Sequence, residues 1–200
     1  MNQTKRSQNL MIGIAIGIII IIGIFLYLNY HESKVNKNEI EEKYIYNKFI
    51  FTKQPNGLWS TRLQTKNGFY RLFVHYGPKD VENISSDNFD EKLFLNKTLF
   101  ITIDPTSTQQ PYIAVAASEV GSSLYRVMGA KAYASCLVND SICNNRYIID
   151  CNSTDRPVIR VLISNHTKVI RDDNCITIMG NGTELIRSAD RFIYEMYKII

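Results

Sequence analysis

The sequence predicts a mixed α/β (α+β) chain: an N-terminal transmembrane helix, an antiparallel β meander, then a small β-α-β sheet domain closed by a C-terminal amphipathic helix. Three observations predict it. Residues 10–28, LMIGIAIGIIIIIGIFLYL, carry no charge and no proline. Residues 44–78 alternate aromatic and β-branched side chains between turn signals. Beyond residue 98, two stretches repeat apolar residues at 3- and 4-residue spacing, with short apolar runs between them.

At 1.5 Å of rise per residue, the run Leu10–Leu28 reaches roughly 30 Å, the thickness of a bilayer's hydrocarbon core. A cleaved signal has a shorter apolar region of about 7–15 residues that ends in small side chains. Here the run ends Tyr27-Leu28-Asn29-Tyr30-His31, and the tyrosines suit the headgroup interface. A retained signal anchor is the expectation. Gly13 and Gly17 form a GxxxG that would allow close approach of a second helix.

Basic residues flank the run on both sides, Lys5 and Arg6 before it and Lys34, Lys37 and Lys43 after it. They leave the orientation undecided. The cysteines and the N-x-S/T sequons decide it. Cys136, Cys143, Cys151 and Cys175 are even in number and lack any CxxC pair, which suits disulfides in an oxidising compartment. Asn83, Asn96, Asn139, Asn152, Asn165 and Asn181 each begin a sequon, more than composition alone would place, and are candidates for glycosylation. The expected organisation is a cytoplasmic N-terminus (1–9), a membrane helix (10–28), a juxtamembrane stalk or tether (29–43) and an extracellular domain (44–200). Within that domain the meander covers 44–78 and the α/β portion 98–200. The net charge of +4, with scattered lysines, leaves no nucleic-acid footprint.

Within the exported part, Tyr44-Ile45-Tyr46 and Phe49-Ile50-Phe51 are strand-like, and Pro55-Asn56-Gly57 is a turn. Trp59–Thr65 and Phe69–Tyr76 flank Lys66-Asn67-Gly68, a strong hairpin signal. A three-stranded meander ending at Gly77-Pro78 is predicted. Val81–Leu95 reads as a loop with one irregular helical turn and few core residues. Thr98–Ile103 is a buried-type strand. Ile113, Ala116, Ala117, Val120, Leu124 and Val127 predict a helix over 112–128, stopped by Gly129. Ala130–Ser135 completes a strand–helix–strand unit.

Pro157–Ile163 is a further strand, and Lys168–Arg171 with Cys175–Met179 a hairpin. The last helix begins at Thr183. Leu185, Ile186, Ala189, Phe192, Ile193, Met196 and Tyr197 form its apolar face, and Arg187, Asp190, Arg191, Glu195 and Lys198 a solvated face with ion pairs. Docking of a partner protein is the functional alternative for that charged face. Four cysteines allow three connectivities. Cys136 and Cys143 flank a short polar loop, and Cys151 and Cys175 stand at strand starts, which favours the pairs Cys136–Cys143 and Cys151–Cys175. A zinc site is the competing reading, but paired ligand knuckles are missing.

Asn56-Gly57-Leu58-Trp59, the run Phe69–Pro78, Phe100–Pro105, Asn174-Cys175-Ile176 and Leu185–Arg191 carry a resemblance. The chain resembles a family of archaeal single-pass membrane proteins with an exported C-terminal domain and no known activity. The resemblance spans most of the exported part and implies a cell-envelope location, an N-terminal anchor and one shared fold.

Chemistry is thin. His75 lies in a strand, where Asp104 or Glu119 would orient it and Ser107 would complete a nucleophile–histidine–carboxylate set. No serine or cysteine sits in a nucleophile elbow, and the competing reading makes Asp104 and Thr106 a turn cap and His75 a strand residue. His31, His75 and His166 are far apart and lack second ligands, so no metal is expected, and no glycine turn carries a phosphate or cofactor fingerprint. The leading expectation is a non-enzymatic, membrane-anchored envelope protein that binds or scaffolds a surface partner. The alternatives are an extracytoplasmic hydrolase with a pocket near Asp104 and His75, and a pilin-like filament subunit. For the last, Lys5-Arg6-Ser7-Gln8 resembles an archaeal prepilin cleavage site, with Ser7 where glycine or alanine is usual.

Overall fold

In a computed structural model, the described residues are 16–28, 30, 42–65 and 68–200. The chain divides into two units, Met1–Glu41 and Glu42–Ile200. In the first, residues 16–28 form a helix (α1) whose isoleucine, leucine and phenylalanine side chains are exposed. At 1.5 Å per residue the described part, 16–28, covers roughly 20 Å. Among the described residues, no helix is long and apolar enough to cross a membrane. The remainder of the expected span, residues 10–15, lies outside the described residues, as do Gly13 of the GxxxG and nearly all of the 29–43 stalk.

In the second unit the meander has four strands, not three: β1 (Lys43–Tyr46), β2 (Phe49–Lys53), β3 (Trp59–Thr65) and β4 (Gly68–Val74), antiparallel in that order. The extra hairpin turns at Asn47 and Lys48, with φ of 43° and 72°. Two successive left-handed residues match the right-handed twist of the flanking strands. Lysine seldom fills the second position, so the sequence signal was weak. Residues 66–67 of the β3–β4 turn lie outside the described residues.

Segment 78–95 is more buried than expected. It contains a short helix α2 (Pro78–Val81), a two-residue strand β5 (Ser85–Ser86) and a 3-10 turn at Glu91–Leu93. Val81, Ile84 and Phe94 enter the core.

The second sheet is built from β5, β6 (Thr98–Ile103), β7 (Lys131–Cys136), β8 (Tyr147–Ile148), β9 (Val158–Ile163), β10 (Lys168–Asp172) and β11 (Cys175–Gly180). Their spatial order is β5-β10-β11-β9-β6-β7-β8. Strands β11, β9, β6, β7 and β8 run parallel, and β10 returns antiparallel on β11. The predicted strand–helix–strand unit is β6, α3 (Gln110–Met128) and β7. Gly129 ends α3 in the left-handed conformation, φ 67°, the usual glycine cap.

Alternation along the central strands sends Leu99, Ile101, Ile159, Val161, Ile176 and Ile178 to one face, into a core shared with α3, α4 (Thr183–Met196) and the meander. Thus α4 lies between two sheets. Phe51 of β2 meets Tyr194 edge-on at 5.7 Å, and Ser188 on the opposite side donates to the Met179 carbonyl of β11 at 2.7 Å. This corrects the expected solvated face. Asp190 is completely buried, and Arg191 and Glu195 form an ion pair at 3.1 Å with each side chain only 12% exposed. Arg191 also donates to the Ile84 carbonyl at 3.1 Å.

Parallel sheets normally carry helices on both faces. Here the second face is mixed: Phe100 packs with Tyr133 and Tyr147, ring centroids 6.3 and 5.6 Å apart, beside a polar patch. Thr102 and Ser135 hydroxyls share a hydrogen bond of 2.6 Å, and Arg160 bridges Thr177 and Asp150. Disulfides Cys136–Cys143 and Cys151–Cys175 tie the segment between β7 and β9 to the sheet. Replacing Cys151 and Cys175 together by alanine should lower stability by about 3 kcal/mol, and Cys136 with Cys143 by about 2 kcal/mol, because the first pair closes the longer loop. Denaturant unfolding of the full chain in micelles measures both. Equal losses would contradict the loop-length argument.

Candidate functional site

Titratable groups converge where β4, α3 and α4 meet. Val74 at the end of β4 is buried, so strand alternation turns His75 outward. Its Nδ1 contacts Glu119 Oε1 on α3. The second oxygen of Glu119, Oε2, and Asp190 Oδ1 on α4 are buried with no hydrogen-bond partner, and the two carboxyls are neighbours that act on each other. Asp190 Oδ2 accepts the Tyr76 N–H at 2.8 Å, and the Tyr194 hydroxyl donates to the Tyr76 carbonyl at 2.6 Å. Residues 75–77 are therefore clamped onto α4 on both sides of Tyr76.

Burial raises the Glu119 carboxyl above its ordinary value, and the adjacent His75 pulls it partly back. Burial, then the charge of Glu119, raises Asp190 well above the usual carboxylate range. Two neighbouring buried carboxyls satisfy each other when they hold one proton between them. Nearby, burial and then Asp80 push the Tyr44 hydroxyl up to about 12. The cluster can hold a proton in the core, between the two carboxyls.

Of the two carboxylates considered for His75, the structure brings it Glu119. Asp104 instead accepts from the N–H and hydroxyl of Thr106 at 2.9 and 2.7 Å, and the Ser107 hydroxyl accepts the Gln109 N–H at 3.1 Å. These are turn-capping bonds. His166 is exposed in the β9–β10 turn, and His31 lies outside the described residues. Among the described residues no group of three or more His, Cys, Asp or Glu is arranged to hold a metal ion. Asn83, Asn96, Asn139, Asn152, Asn165 and Asn181 are all exposed, with the Asn181 side chain accepting from Gln109 at 2.8 Å.

Asp190 was missed because charged residues at 3- and 4-residue spacing read as a wet helix face. The contrary signal was present. Asp190 stands four residues from Ile186 and from Tyr194, inside an apolar stripe.

The second feature is a groove of about 760 Å³ beside α3, over β6 and β7. Ile101 and Ile103 of β6 and Ala132 and Ala134 of β7 form its floor, and Ala114, Ala117, Ser118, Gly121, Ser122 and Tyr125 its helical wall. It is open because Ala132 and Ala134 remain exposed and β8, next to β7, has only two residues. Gly121 brings α3 close to the sheet: a Cβ there would stand 3.0 Å from Ile101 Cδ1. Nothing in the periodicity of α3 distinguishes this wall from an ordinary helix flank.

No protein-family model, curated protein or solved structure matches the chain.

Proposed function

We propose that this chain is a single-pass, membrane-anchored envelope protein. Its disulfide-braced domain stands on the extracytoplasmic side and binds another envelope component in the groove between α3 and β7. The groove carries the binding part of this reading. Its volume of about 760 Å³ lies within the ~300–1,000 Å³ range of ligand sites, and such sites are mostly apolar. Two closed disulfides and six exposed sequon asparagines support an oxidising, exported location. The uncharged run Leu10–Leu28 supports the anchor, and the resemblance to archaeal single-pass proteins supports the envelope.

Intact mass and non-reducing peptide mapping of protein from native membranes test the location. Met1 retained, both disulfides closed and glycans on the sequons are expected. Reduced cysteines with bare asparagines would reverse the topology, and a mature chain beginning at Gln8 would favour the pilin-like subunit. A hydrolase remains the second reading, supported now by the contact of His75 with Glu119 and the buried Asp190 beside it. Under the binding reading, His75→Gln leaves ligand capture and folding unchanged. A loss of a hydrolytic activity in that variant, with folding intact, would favour the enzyme.

A further inference from the structure

We infer that the groove between α3 and β7 takes an anionic single-chain amphiphile, an alkyl chain with a terminal carboxylate. This rests on the binding function proposed above and names its ligand. The groove's surface requires an apolar body. Its floor is alkyl, its wall adds the Tyr125 ring, and the hydroxyls of Ser118 and Ser122 donate to the helix carbonyls of Val115 and Glu119 at 2.9 and 3.1 Å. Their donors are thus turned back onto α3. A ligand with a polar body would leave its own groups unpaired.

The charge on the rim selects the head group. Lys131 and Arg146 line the groove, and no aspartate or glutamate does. Both cations are exposed, and neither makes an ion pair among the described residues. They mark its two ends. Lys131 opens β7, while Arg146 precedes Tyr147, which pairs with Ser135 near the end of β7. At ~3.3 Å per residue the two cations stand roughly 10 Å apart along the strand, so a chain lying in the groove meets a cation at whichever end its head emerges. A cationic head would face repulsion at both ends.

Photocrosslinking tests this with the full chain in lipid bilayer discs. The probes are a long-chain fatty acid bearing an alkyl diazirine and the primary alcohol of the same chain. The acid should label peptides containing residues 114–125 and 131–135 in preference to the alcohol. Lys131→Gln with Arg146→Gln should reduce acid labelling about fivefold, the scale of two solvent-exposed ion pairs, and leave alcohol labelling unchanged. Ala134→Trp should abolish both. Equal labelling by the two probes, insensitive to the cations, would overturn the anionic ligand and leave the binding function standing. Labelling by neither probe, or labelling indifferent to Ala134→Trp, would overturn both. Because Lys131 and Arg146 are surface groups, their variants keep the test decisive even if the tryptophan variant fails to fold.

Discussion

Gly180→Ala should destabilise the domain by more than about 3 kcal/mol, beyond the usual ~1–3 kcal/mol of overpacking. Gly180 ends β11, where the first turn of α4 crosses it. A Cβ at this position would collide with the Leu185 nitrogen and would stand 2.5 Å from the Glu184 carbonyl carbon and 2.7 Å from its oxygen. These are backbone atoms, so no rotamer change relieves the clash. The turn of α4 would have to lift from the sheet. That would strain the Ser188 bond to Met179 and the Ser164 N–H bond to the Gly180 carbonyl, 2.9 Å. Gly182 is the control. It needs a positive φ of 58°, but its nearest neighbour to a Cβ is a Tyr112 ring carbon at 3.9 Å. At φ 58° and ψ −127° Gly182 lies outside the left-handed helical region, so Gly182→Ala should cost the ~1–3 kcal/mol of a sparsely populated backbone conformation and nothing from contact. Thermal unfolding of the two full-length variants separates them: a midpoint drop near 10 °C for Gly180→Ala against a few degrees for Gly182→Ala. Equal drops would mean that conformation, not contact, selects glycine at both sites.

Asp190→Ala should cost about 1–3 kcal/mol for each buried polar group it leaves unsatisfied. It orphans the Tyr76 N–H and leaves Glu119 Oε2 facing an apolar void. Asp190→Asn should behave differently. An amide can accept from Tyr76 and donate to Glu119 with no proton to lose. Because burial raises the folded-state values of both carboxyls, the native state binds more protons than the unfolded chain above the ordinary carboxylate range near pH 4. Their contribution is fully present below that range and is lost as pH rises through the folded values. Each raised carboxyl can change stability by at most ~1.4 kcal/mol per pH unit. The wild type should therefore lose stability between pH 5 and 8 relative to Asp190→Asn, which should equal or exceed it at pH 8. Parallel pH profiles for the two proteins would overturn the shared proton.

The strands and helices were legible wherever local pattern and burial agree. Helix α3 was placed from its 3- and 4-residue spacing and Gly129, and the β3–β4 hairpin from its alternation. What escaped was set by layering. Helix α4 has polar residues down one side, and in a two-layer fold that side would be wet. Here a second sheet covers it, so Asp190 is buried and Arg191 and Glu195 become nearly so. Segment 81–95 was misjudged for the same reason, since Val81, Ile84 and Phe94 are too widely spaced to show periodicity yet enter the core with α4. His75 was visible as a candidate, and Glu119 as one of its possible partners. Asp190, the group that extends the pair into the core, was read as surface.

The position of α4 has a consequence for the order in which this domain can be made. The meander is built from neighbours in the chain, and contacts of that kind form early. Yet the inner side of the meander, with Phe51, Trp59, Leu72 and Val74, is covered by helices, and α4 follows every strand of both sheets. While the chain is synthesised from its N-terminus, two apolar sheet faces must wait for one helix. If the chain is threaded outward behind its anchor, α4 also arrives last on the far side. The interval before it docks is when the domain is most open to aggregation or capture by a chaperone.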